Sequence, residues 1–148
     1  MEQILAGLGL ALMLGLAGSG SAIGLAIGGS AVIGMVQKRP EAFGNGLVLA
    51  GLPATQGLYG FVAFILYSGA VNKDITLFGA SIVFGAGVAV GLAAFISAIQ
   101  QGKVCAHGIQ AMGSGHDTFG KTMILAAFPE FYAILALVGG ILMQGLMA

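Results

Sequence analysis

Asp117-Thr118-Phe119-Gly120-Lys121-Thr122-Met123-Ile124-Leu125-Ala126-Ala127-Phe128-Pro129-Glu130 aligns without a gap to Glu41-Ala42-Phe43-Gly44-Asn45-Gly46-Leu47-Val48-Leu49-Ala50-Gly51-Leu52-Pro53-Ala54, at an offset of 76 (130 − 54). The same offset pairs Ser21-Ala22-Ile23 with Ser97-Ala98-Ile99, and Gly15-Leu16-Ala17 with Gly91-Leu92-Ala93. Self-similarity at one fixed spacing means a duplicated structural unit. The chain therefore reads as two copies in the same orientation, residues 1–72 and 73–148. The copies differ at one decisive position: Ala54 in the first stands where Glu130 stands in the second.

Composition says what the unit is made of. Only 7% of the 148 residues are charged and 58% are hydrophobic, with a mean hydropathy of +1.04. Soluble domains carry roughly 25% charged residues. So few charges cannot cover a soluble surface, and the solvent for most of this chain is lipid. Net charge is zero, and no basic cluster suits nucleic acid. The single Cys105 excludes an intrachain disulfide.

Four apolar runs alternate with three polar breaks. The runs cover about Ile4–Val36, Phe43–Ala70, Ile75–Met112 and Phe119 to the C-terminus. The breaks are Gln37-Lys38-Arg39-Pro40-Glu41, Asn72-Lys73-Asp74 and Gly113-Ser114-Gly115-His116-Asp117. Each run exceeds the roughly 20 residues a spanning helix needs. The first and third are long enough to protrude from the bilayer or tilt. Period-2 alternation is absent, which argues against strands. The expected fold is all-α and integral to the membrane, with four transmembrane helices as two tandem helical hairpins. The first run is far longer than a signal h-region of about 7–15 residues and is expected to be a mature spanning helix. Lys38, Arg39 and Lys121 lie at the breaks after runs one and three, against Lys73 alone on the other side. The positive-inside rule then puts the hairpin loops in the cytoplasm and both termini outside.

Gly20, Gly24 and Gly28 form a stripe on the first run. Gly87, Gly91, Ala94, Ala98, Gly102 and Ala106 form one on the third. Small residues at this spacing let backbones approach closely in lipid, so the first helix of each hairpin is expected in a tight inner layer.

Glu130 is the chemical centre. It lies inside an apolar run, where a charged carboxylate costs about +2.5 to +3.5 kcal/mol on insertion scales. A proton, a cation or a partner must neutralise it. In an antiparallel hairpin turning near Gly115, Gln100 and Gln101 stand at its depth, and either could face it. The equivalent region of the first hairpin carries Thr55, Gln56 and Tyr59. Together these make an oxygen-rich set, which hard cations prefer. One carboxylate balances one positive charge, so a monovalent ion fits. Pro53 and Pro129 each delete a helix hydrogen bond, which is expected to free the Leu49 and Leu125 carbonyls and to turn others, such as that of Leu52, toward a ligand. Lys103 is expected to snorkel or to face a ring lumen, Cys105 to pack, and His107 to be a satisfied polar core residue. His116-Asp117 reads as a solvated turn. No nucleophile–base pair or phosphate loop is present, so the chain is not expected to be catalytic alone.

The doubled hairpin, the one intramembrane Glu and Leu52-Pro53-Ala54-Thr55-Gln56-Gly57-Leu58-Tyr59 resemble the membrane rotor proteolipid (subunit K, or c) of V-type rotary ATPases, and in particular its bacterial sodium-translocating branch. The resemblance covers essentially the whole chain. It implies a homo-oligomeric ring in a cell membrane, binding and carrying Na⁺ while other subunits hydrolyse ATP. By position, it implies that Glu130, Gln101, Gln56, Thr55 and the Leu52 carbonyl hold the ion and that Tyr59 hydrogen-bonds Glu130. The implied partners are identical subunits, a stator subunit with an intramembrane Arg, central-stalk subunits at the cytoplasmic loops, and lipid. The alternatives are the same ring carrying H⁺ and a stand-alone small ion transporter or channel. The parallel repeat counts against the second of these.

Overall fold

The computed structural model describes residues 1–147. Ala148, the last residue of the second unit, lies outside them. The order is α1 (Glu2–Val36), a 3₁₀ turn (Pro40–Ala42), α2 (Phe43–Gly51), α3 (Ala54–Ser68), α4 (Leu77–Gly113), α5 (Phe119–Gln144) and a terminal 3₁₀ turn (Gly145–Met147). No strand occurs among the described residues. Four helical stretches, with α2 and α3 counted as one, are long and apolar enough to cross a membrane. At 35 and 37 residues, α1 and α4 are roughly 52 and 55 Å long at 1.5 Å per residue. Both outrun a hydrocarbon core of about 30 Å.

Glycine decides how the helices pack. A methyl group added at Gly9 would strike the backbone of Val83 and Phe84, one at Gly20 that of Phe95, and one at Gly24 that of Ala98. From the other side, Gly87 rests on Gly9, Gly91 on Leu12 and Gly102 on Gly24. Residue numbers rise together along this seam, so α1 and α4 run parallel, backbone against backbone, as the small-residue stripes lead one to expect. The α2–α3 stretch packs antiparallel on α1, with Gly60 against Met13 and Ala17, and Gly28 against Ala50. In the same sense α5 packs on α4, with Gly108 against Thr122 and Gly140 against Val90.

Two apolar clusters fill this arrangement. One holds Met13, Tyr67, Val83 and Val90; the other holds Val32, Met35, Leu49, Cys105, Ile109 and Met112. Between them the apolar core shrinks to Ala17, Ala94 and Ala133 beside Tyr59. The polar side chains of the middle of the bundle occupy the space these alanines leave. The outward faces of α3 and α5 expose Leu58, Phe61, Ile65, Phe128, Phe131, Leu135 and Leu142, which suits lipid and not water.

The two prolines act differently. Pro53 separates α2 from α3, whereas Pro129 sits inside an unbroken α5. The expected free carbonyl at Leu49 does not arise: the Leu52 amide donates to it at 3.3 Å. The chain tightens by one residue at Pro53, and the orphan acceptor is recovered locally. The left-handed Gly115 (φ 92°) turns the second hairpin, a conformation glycine adopts without steric cost.

Candidate ion-binding site

The first two turns of α3 and the middles of α4 and α5 meet at one depth. Thr55 and Tyr59, four residues apart, share a face of α3, and Tyr59 reaches across to α5. Gln56 and Gln101 are both fully buried, and Glu130 is half-buried. The Tyr59 hydroxyl donates to Glu130 Oε1 at 2.8 Å. Gln101 Nε2 donates to Glu130 Oε2 at 2.9 Å and to the Ala126 carbonyl at 2.9 Å. Gln56 Nε2 donates to Gln101 Oε1 at 2.9 Å and to Ser97 Oγ at 3.1 Å. Both carboxylate oxygens therefore accept a hydrogen, and each amide has spent both of its own. Among the described residues, no buried side-chain nitrogen or oxygen lacks a partner.

Thr55 closes the set. Its Oγ1 lies 3.0 Å from the Leu52 carbonyl and 3.2 Å from Gln56 Oε1. One hydroxyl hydrogen cannot serve both oxygens fully. The Leu52 carbonyl also accepts the Thr55 amide at 3.2 Å. At this corner oxygens outnumber hydrogens, and that excess suits a cation.

Of the two glutamines at the carboxylate's level, Gln101 reaches it. Gln100 is exposed and borders an apolar groove with Ile96, Phe128, Pro129 and Tyr132. Leu52, Thr55, Gln56, Tyr59, Gln101 and Glu130 are thus brought into one network. His107 is not a core residue. It is exposed and its Nδ1 lies 2.8 Å from the Lys103 carbonyl. The reason is helical phase: Gln100, Lys103, His107 and Gln110 form one exposed polar stripe on α4. Cys105 is buried among apolar neighbours. The turn carrying His116 and Asp117 is exposed.

Two serines belong to the site although their side chains gave no sign of it in the sequence. Ser97 Oγ donates to the Pro129 carbonyl at 2.8 Å. Ser21 Oγ donates to the Pro53 carbonyl at 2.6 Å and accepts the Gly57 amide at 2.7 Å. These are repeat-related latches, each tying a proline carbonyl to the neighbouring long helix. The one available signal was that Ser21 and Ser97 pair at the 76-residue offset.

The sequence profile of the ATP synthase C subunit family matches residues 8–67 and again 84–143. The two matches are displaced by 76 (84 − 8), the offset of the internal repeat. The chain is 41% identical over 140 residues to the A-type ATP synthase subunit K of Methanocaldococcus jannaschii, covering 95% of this chain and 61% of that protein. It is 39% identical over 122 residues to the V-type sodium ATPase subunit K of Enterococcus hirae, covering 82% of this chain and 78% of the relative. The 16 kDa proteolipid of the V-type proton ATPase of Homo sapiens is 24% identical over 125 residues, with 84% and 81% covered.

Proposed function

Since this chain belongs to the ATP synthase C subunit family, we propose that it is a rotor proteolipid of an A/V-type ATPase, and that its cargo is Na⁺ held at Glu130. The corner at Thr55 carries the reading of the cargo. Three oxygens gather there around two hydrogens, the hydroxyl and amide hydrogens of Thr55, and a proton on Glu130 would need none of them. The likeness to a sodium ATPase subunit K supports the same ion. The proposed ligands are Glu130, Gln101, Gln56, Thr55 and the Leu52 carbonyl, with Tyr59 holding the carboxylate in place.

Mechanism follows from charge. Glu130 with its Na⁺ is neutral and can face lipid. The empty carboxylate cannot do so cheaply. Copies of the chain form a ring in this reading, with residues 1–72 and 73–148 as its hairpin units. A stator subunit with an intramembrane Arg receives each emptied Glu130 and separates the entry and exit paths. Stalk subunits grip the hairpin loops on the cytoplasmic side, with both termini on the opposite side. ATP is handled elsewhere, and ion binding and release at Glu130 are this chain's share of the work.

The test uses a lipid-soluble carbodiimide, which modifies carboxyl groups. Na⁺ is expected to slow labelling of Glu130 in a concentration-dependent way, and Glu130→Gln to abolish labelling. Labelling that ignores Na⁺ while falling as pH rises would assign the same ring to protons. Ion flux through the reconstituted chain alone would instead indicate a free-standing transporter.

A further inference from the structure

Each buried glutamine can be turned end for end, exchanging its oxygen for its NH₂ group with little change of shape. One orientation offers the cation a ligand; the other offers it two hydrogens. Something must fix the choice. For Gln101 it is the Ala126 carbonyl, which can only accept. For Gln56 there are two: the Gln101 oxygen, which can only accept and takes one Nε2 hydrogen at 2.9 Å, and a hydroxyl, which in general either donates or accepts. Ser97 has no such freedom here. Its single hydrogen is committed to the Pro129 carbonyl at 2.8 Å. Toward Gln56 it is therefore an acceptor, and it takes an Nε2 hydrogen at 3.1 Å.

We infer that Ser97 is a positioning residue for the cation site: by spending its hydrogen on Pro129 it becomes a second fixed acceptor, which joins the Gln101 oxygen in holding the NH₂ of Gln56 on the α4 side and the Gln56 oxygen toward Thr55 and the ion. The inference rests on the reading of this network as a cation site. It explains why a hydroxyl sits buried between two helices that small apolar residues could join. It also links the halves of the site, since one atom contacts Gln56 of the first hairpin and the backbone beside Glu130 of the second. Proton carriage would not need it, because Tyr59 and Glu130 meet without Gln56.

The experiment measures carbodiimide labelling of Glu130 in the full-length assembled protein, as the rate without Na⁺ and as the Na⁺ concentration giving half protection. Protection in Ser97→Ala is read relative to that variant's own Na⁺-free rate. The half-protecting concentration should rise about tenfold, the scale of one net hydrogen bond. Ser97→Thr, which keeps the hydroxyl, should restore protection. An unchanged half-protecting concentration in Ser97→Ala overturns the inference. If Ser97→Ala does not assemble, Ser97→Cys serves in its place. Its thiol is a poorer acceptor, so half protection should weaken in Cys but not in Thr, and equality of the two is the overturning result. Wild-type labelling that ignores Na⁺ would remove the cation reading itself, a failure separate from that of Ser97.

Discussion

Tyr59 and Gln101 each give one hydrogen to a different oxygen of Glu130, so the carboxylate is held from two helices at once. Tyr59→Phe removes one of these donors and keeps the ring. Loss of a single hydrogen bond to a charged group is worth about 1.5–3 kcal/mol. Retention of the proposed Na⁺ should therefore weaken about ten- to hundredfold, read as faster isotope exchange from the purified protein with assembly intact. At this scale the sequence is readable where polarity stands out. A carboxylate, two amides and a threonine in apolar runs are conspicuous, because each is expensive in lipid unless partnered. Serine is not conspicuous. In membrane helices its hydroxyl satisfies itself on the carbonyl one turn back, as Ser30 does on Ala26 and Ser81 on Leu77. Ser97 and Ser21 look the same in the sequence but bond across to proline carbonyls. The choice between Gln100 and Gln101 depends on helical phase to within one residue, about 100°, which depth alone does not supply.

Whole helices show where a repeat stops being a repeat. Leu52-Pro53 and Phe128-Pro129 are equivalent in sequence, yet the first breaks its helix and the second does not. The residue at the next-but-one position accounts for it. Thr55 bonds the Leu52 carbonyl with both its amide and its hydroxyl, diverting that carbonyl from the α-helical ladder. The second unit has Phe131 at that position, with no hydroxyl to compete. Spans and breaks are readable from hydropathy because each helical stretch, α2 and α3 taken together, is longer than the hydrocarbon core. The α2/α3 break is set by one side chain and is not. Along the α1–α4 seam, the absence of side chains is itself the fit. Gly24→Val would drive a branched side chain into the Ala98 carbonyl and Pro53. Overpacking of this kind costs about 1–3 kcal/mol and should show as a lower thermal midpoint of the detergent-solubilised protein. Gly44→Ala, with open space around it, should leave the midpoint unchanged or raise it slightly, since alanine is the better helix former.

For the whole molecule, the faces left uncovered matter most. On α1 a second row of small residues, Ala11, Gly15, Gly18, Ala22, Ala26 and Gly29, points away from α4. A methyl group added at any of its glycines would meet nothing within 4 Å beyond its own stretch of helix. In the proposed ring this row meets the next copy. Gly15→Leu should then leave the helix packing of one subunit untouched and prevent closure, so native mass measurement would find subunits or open oligomers in place of a closed ring. A Gly15→Leu protein that still closes would place the contact elsewhere. In the proposed ring the duplicated unit would also set the gearing. Four spanning helices carry one carboxylate at this depth, since Ala54 stands at the position equivalent to Glu130. A wheel of given girth built this way collects half as many passengers per revolution as one with an acid on every hairpin. The same torque is then shared among fewer ions, and each is driven twice as hard. Such a machine gives up throughput for lift, and is better suited to filling a steep gradient than to harvesting a shallow one.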